Sequence, residues 1–148
     1  MFTFHRILHP TDFSECSQYA FHIAADLARQ HGAALLVLHV ARPLSEKLTF
    51  GEVAAAQPSA YHRRLTEAEH EATVTGADVV VERLVEDGEP AHVVARVARE
   101  RGCDLIVIGA HGRSGLERLL MGSTAEHIVR LAPCPVLVVK APKTGAAK

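Results

Sequence analysis

Short runs of branched apolar residues alternate along the chain with longer stretches in which apolar positions recur every three to four residues. That alternation is the signature of βαβ layers on a parallel sheet, and it predicts five strands and four helices. "FHRILHP" (4–10) reads as the first strand. Behind it Phe13, Cys16, Ala20, Ile23, Ala24, Leu27 and Ala28 fall on one helical face, and His31-Gly32 supplies a stop. "ALLVLHV" (34–40) is apolar almost throughout, as a central strand covered on both faces must be. From Ala41 to Ser59 the pattern weakens into an expected loop with short helical turns, before Tyr61, Leu65, Ala68 and Ala72 restore a helical stripe. "ADVVVERLV" (77–85) mixes polar with apolar positions, which predicts an edge strand, and leads through Gly88 to a helix with Pro90 in its first turn. "DLIVIG" (104–109) is again a buried strand. The last helix is expected from about Ser123 to Ala132, ending before Pro133, and "PVLVVK" (135–140) forms the fifth strand.

The chain has 148 residues, enough for one domain with a full core and too few to expect two. With 48% hydrophobic and 22% charged residues and a formal charge of −1, the composition is that of an ordinary globular protein with no basic field for nucleic acid. Cys16, Cys103 and Cys134 are far apart and lack CxxC spacing, which fits a reducing compartment and small core residues better than zinc or a redox pair. The opening "MFTFHRILHPTD" has no apolar core long enough for a signal peptide, and no stretch approaches the ~20 apolar residues of a membrane span. The expected location is the cytoplasm, with no membrane contact.

In open parallel sheets ligands bind beyond the carboxyl ends of the strands, where neighbouring crossovers leave on opposite faces. Three strand exits carry chemistry: "HPTDFS", "HVARP" and "GAHGRSG", the last within "GAHGRSGLERLLMGSTAE" (109–126). Gly109 and Gly112 can turn N–H groups inward, and the start of the final helix adds unpaired donors and the positive end of its dipole. Phosphate is the expected anion. The pattern is neither GxxxxGK[ST] nor GxGxxG, since its glycines fall at 109, 112 and 115, so charge has to come from Arg113, with Arg118 as a second candidate. Plain structural readings stand beside these. "STAE" fits a capping box from Ser123 to Glu126, and "DFSE" makes Asp12 a cap-type acid. Gly109 and Gly112 can also serve the exit turn alone. The ten histidines form no HxH, HExxH or Cys/His cluster, so no metal site is assigned. His9 and His39 close two strands expected to be neighbours, and His111 lies inside the glycine loop.

The spacing G-x2-G-x9-G-S, as Gly109, Gly112, Gly122 and Ser123, resembles the nucleotide-binding motif of the ATP-binding branch of the universal stress protein family. "HPTDFSE", "LLVLHV", "EDGEPA" and "APCPVLVVK" resemble the same family in order and spacing, so the likeness covers nearly the whole chain. It implies a Rossmann-like α/β fold of the adenine nucleotide alpha hydrolase type: one open five-stranded parallel sheet in the order 3-2-1-4-5, helices on both faces, spanning 1–142, with 143–148 as a disordered tail. It also implies that Pro10, Thr11 and Asp12 lie against an adenosine and that Val40 meets the adenine through its main chain. Gly109 and Gly112 would wrap ribose and phosphates, and Gly122, Ser123 and Thr124 would complete the cradle. The implied ligand is ATP, or AMP or ADP, with magnesium.

The final strand, "VLVV", would leave an apolar edge unpaired. The resemblance implies that Val136, Leu137, Val138 and Val139 pair with a second copy in a two-fold homodimer. The expected function is nucleotide-dependent signalling in stress response, by binding and not by turnover, through an unidentified partner. Two alternatives stand: a slow ATPase or phosphotransferase using Asp12 and a divalent ion with His111 assisting, and an interaction module of the same fold with an empty loop.

Overall fold

β1 (Arg6–Pro10), the first strand, lies at the centre of a parallel sheet whose order is β3-β2-β1-β4-β5. The computed structural model describes residues 2–41, 79–111 and 121–142. β1 is followed by helix α1 (Glu15–His31), β2 (Ala34–Ala41), β3 (Val81–Asp87), α2 (Pro90–Glu100), β4 (Leu105–Gly109), α3 (Ser123–Leu131) and β5 (Val136–Val139). The expected loop and helix between 42 and 78, the loop residues Gly112, Arg113, Gly115 and Arg118, and the tail 143–148 lie outside the described residues.

The strands form where the apolar runs predict them, and the observed order matches the one the family resemblance implies. β3 and β5 occupy the two edges. β3 begins later than expected, at Val81, because its ladder with β2 starts at Leu35↔Val81. β2 and β4 are interior strands, and their almost wholly apolar sequences contribute to two separate cores. On one face Ile7, Leu35, Val37, Leu105 and Val107 meet α1; on the other Leu8, Leu36, Leu38 and Ile106 meet α2 and α3.

α1 is capped at its start by Ser14, whose side chain accepts from Ser17 N–H, and at its end by Gly32 in the left-handed region, with φ 64°. Its buried face is Ser17, Ala20, Phe21, Ala24, Ala25 and Ala28. Of the face that the periodicity predicts, Ala20, Ala24 and Ala28 are buried, while Phe13, Ile23 and Leu27 are half-buried at the margin of the core and Cys16 too is half-buried. Ser17, Phe21 and Ala25 widen the buried face beyond the predicted stripe, and the alanines and Phe21 belong to one core cluster with Ile7, Leu35 and Val107. Burying Phe21 contributes on the order of 2 kcal/mol.

At the amino end of β1, away from the strand exits, Asp104 fixes β1 against β4. Its carboxylate accepts from the N–H groups of His5 (2.8 Å) and Arg6 (3.1 Å), and its own N–H donates to the Arg6 carbonyl at 2.9 Å. The pairing of the two central strands is therefore set at their start.

Candidate functional site

The crossover after β1 runs to α1 on one face and the chain leaving β4 runs to α3 on the other, so the sheet's switch point lies between β1 and β4. Pro10 is buried at the end of β1, and Thr11 N–H continues the ladder to the Leu38 carbonyl at 2.8 Å. His39 Nδ1–H donates back to the Thr11 carbonyl at 3.0 Å. Val40 follows, half-buried, paired in register with Glu86 of β3. The first two exits are thus joined, with Pro10, Thr11 and Val40 at one end of the sheet.

Asp12 does not cap α1. Ser14 does, and Asp12 stands two residues earlier, where its Oδ1 accepts from Ser14 N–H (3.0 Å) and from the Ser17 hydroxyl (2.8 Å). The "DFSE" signature therefore marks a helix start whose cap is further on. The acid instead closes the loop around the cap. Between them Phe13 adopts φ 64°, the single non-glycine residue with positive φ among the described residues. That conformation costs about 1 kcal/mol and more for a bulky residue. Two contacts hold it: Phe13 N–H donates to Thr11 Oγ1 at 3.0 Å, and its ring packs on His39 with centroids 4.9 Å apart. The loop is rigid by over-determination.

At the third exit the two described glycines of the motif, Gly109 and Gly122, have different roles. A Cβ on Gly109 would lie 3.0 Å from Cys16 Sγ, 3.1 Å from its carbonyl carbon and 3.2 Å from its carbonyl oxygen. The bare backbone at 109 is required by the first turn of α1. Gly122 donates its N–H to the Ala110 carbonyl at 2.7 Å, and a Cβ there would meet the same oxygen at 3.2 Å. That bond brings the start of α3 back onto the end of β4.

The expected capping box is absent. Gly122 is the N-cap of α3, no side chain among the described residues caps the helix, Ser123 is the exposed first helical residue, and Glu126 pairs with Arg130 at 2.8 Å. Ser123 and the half-buried Thr124 therefore stand in a first turn that no described side chain closes, at the exit of β4. Such a turn presents N–H groups and the positive end of a helix dipole. Gly112 and Arg113, assigned to the same site by the sequence, lie outside the described residues.

His9 and His39 are turned to the backbone. His9 is 1% exposed and its Nδ1–H donates to the Val107 carbonyl at 2.9 Å. Burial pushes its pKa down to about 4, against the smaller upward pulls of the Val107 carbonyl, Asp12 and Ser17. Among the described residues no group of His, Cys, Asp or Glu could hold a metal ion. His111 Nδ1, at the mouth of the loop, is buried with no hydrogen-bond partner among the described residues. The sequence singled out His111 but missed the role of His9, which depends on strand register. Burial raises the Cys103 thiol to about 11 and raises Cys134 as well, which disfavours their thiolates, and Cys16 Sγ donates to the Val139 carbonyl at 3.4 Å.

These features define an open parallel α/β protein with a helix start and two strand-exit loops around its switch point. The universal stress protein family model matches residues 3–140, and the chain belongs to that family. Universal stress protein YxiE of Bacillus subtilis is 32% identical over 93% of this chain and 99% of its own length. Universal stress protein MJ0531 of Methanocaldococcus jannaschii is 32% identical over 93% of this chain and 83% of its own. Among solved structures, universal stress protein UspA from Lactobacillus plantarum superposes with a TM-score of 0.81 at 28% identity, over 94% of this chain and 99% of that one. A universal stress protein in complex with cAMP superposes with a TM-score of 0.72 at 25% identity, over 93% and 98%. No helix among the described residues is long and apolar enough to cross a membrane.

Proposed function

We propose that this universal stress protein binds ATP with magnesium at the carboxyl ends of β1 and β4, and acts in the cytoplasm as a nucleotide-dependent homodimer in stress response. The observation that carries the reading is the first turn of α3, tied by Gly122 to the exit of β4 and capped by no side chain among the described residues. A solved relative that holds cAMP supports an adenine nucleotide as the ligand class. In this reading Pro10, Thr11, Asp12 and Val40 receive the adenosine. Gly112, Arg113, Gly122, Ser123 and Thr124 receive the phosphates, with the N–H groups of α3 supplying charge complementarity. Gly109 holds α1 close to the crevice. Magnesium would enter with the nucleotide and would supply charge neutralisation at the phosphates.

The dimer rests on β5, an edge strand whose Leu137 is 40% exposed beside a half-buried Val136 and Val138. Paired antiparallel with a second copy, its open backbone edge would be satisfied and its apolar row covered. Two variants separate the parts. Val138→Lys is expected to shift the solution mass toward monomer, and an unchanged dimer would rule out β5 as the interface. Gly112→Val is expected to abolish ATP binding and leave the mass unaltered; retained affinity would remove Gly112 from the site.

A further inference from the structure

The ladder between β1 and β2 runs the whole length of β1, from Arg6↔Ala34 to Pro10↔Leu38, but the ladder between β1 and β4 has only Ile7↔Leu105 and Leu8↔Ile106. Two backbone bonds explain why. Thr11 N–H donates to Leu38 of β2, so by the alternation of a strand residue 10 faces β4. Ile106 N–H donates to Pro135 at 3.0 Å, on the β5 side, so Val107 faces β1. The next rung would therefore run from the N–H of residue 10 to the Val107 carbonyl, and residue 10 is a proline with no N–H to give. Proline in the interior strand of a sheet leaves such a carbonyl unpaired, and Val107 is fully buried. Here His9 supplies the missing donor: its Nδ1–H bonds that carbonyl at 2.9 Å, with the ring held against Phe21 at a centroid distance of 5.9 Å.

We propose that Pro10 and His9 form a wedge at the switch point: the proline ends the β1–β4 ladder, and the imidazole satisfies the carbonyl this exposes, so that the strands stay parted where the nucleotide crevice begins. His9 is a positioning residue in this account, not a ligand contact. The neutral ring favoured by burial carries a single N–H, and Val107 claims it. The point at which the β1–β4 ladder stops is thus written in the dipeptide His9-Pro10. The functional part of the inference rests on the nucleotide reading; the structural part does not.

The test uses the full chain in a two-residue cycle. His9→Phe keeps a ring but no donor, Pro10→Ala restores an N–H, and His9→Asn keeps a donor at the place of Nδ1. His9→Phe is expected to lower Tm by roughly 5–10 °C. Adding Pro10→Ala should recover at least half of that loss, with the restored amide at position 10 protected from hydrogen exchange, because it now bonds Val107. If His9→Phe fails to fold and the double variant folds, the rescue is the same result. Affinity for ATP is expected to stay about tenfold weaker in the double variant, whose strands close by one rung, while His9→Asn stays within about threefold of the parent. Additive losses of stability, a freely exchanging amide at position 10, a double variant that does not fold, or full ATP affinity in the double variant would each overturn the wedge. If the parent protein shows no binding of ATP, the nucleotide reading fails while the melting cycle and the exchange of that amide still decide the wedge.

Discussion

Gly109→Ala is expected to destabilise the protein by about 1–3 kcal/mol, and Gly109→Val by more, with or without nucleotide. The added Cβ would press on the backbone of Cys16 at 3.1 and 3.2 Å, and backbone at the start of a helix cannot yield as a long side chain can. Relief would require α1 to lift from β4, giving up part of the packing of Ala20, Phe21 and Ala24. Removing the Cys16 thiol should not rescue the variant, since two of the three closest atoms are main chain. Chemical denaturation gives the answer directly. A Gly109→Ala protein with unchanged stability and lost ATP affinity would show instead that the bare backbone serves the ligand and not the helix.

Lowering the pH from 7 to about 4.5 is expected to cost about 2–3 kcal/mol through His9 alone. In the native protein burial holds its pKa down at about 4, whereas in the unfolded chain it titrates near 6.5. Between those values the unfolded state binds the extra proton, so stability rises with pH through this window. The contribution is complete above pH 6.5 and is lost as the pH falls toward 4. Asp12 lies near enough to favour the charged ring, and the Val107 carbonyl does likewise, but neither offsets the burial. Denaturant unfolding of the parent and of His9→Asn across pH 7 to 4.5 isolates the effect, because carboxylates shared by both proteins cancel. The parent should lose stability more steeply; parallel curves would mean that His9 is solvated in the native state.

Much of the fold was legible because parallel strands buried on both faces read as continuous apolar runs, and "ALLVLHV" and "DLIVIG" have no other use for such composition. Helix ends were legible where chemistry is local, as at Gly32 and at Pro90 behind its Glu89 cap. The helix starts at the site were not. "DFSE" and "STAE" both fit a capping box, yet Ser14 caps α1 and Gly122 caps α3, because the position of a cap is decided by where the chain is pinned as it leaves the strand. For α3 that pin is the Ala110 carbonyl; for α1 it is the Asp12 carboxylate on Ser14 and Ser17. The burial of Ser17 was invisible for the same reason: a hydroxyl enters a core when a carboxylate brought there by the fold accepts from it. Gly109 and His9 owe their roles to contacts with Cys16 and Val107, residues remote in sequence, and spacing alone does not report such pairs.

The central claim is that the crevice between β1 and β4 holds an adenine nucleotide, and calorimetric titration of the purified protein with ATP and magnesium tests it most directly. The account predicts a saturable heat corresponding to one nucleotide per chain, with a melting temperature that rises with ATP concentration, as binding to the native state requires. No heat and no thermal shift at millimolar ATP would contradict it.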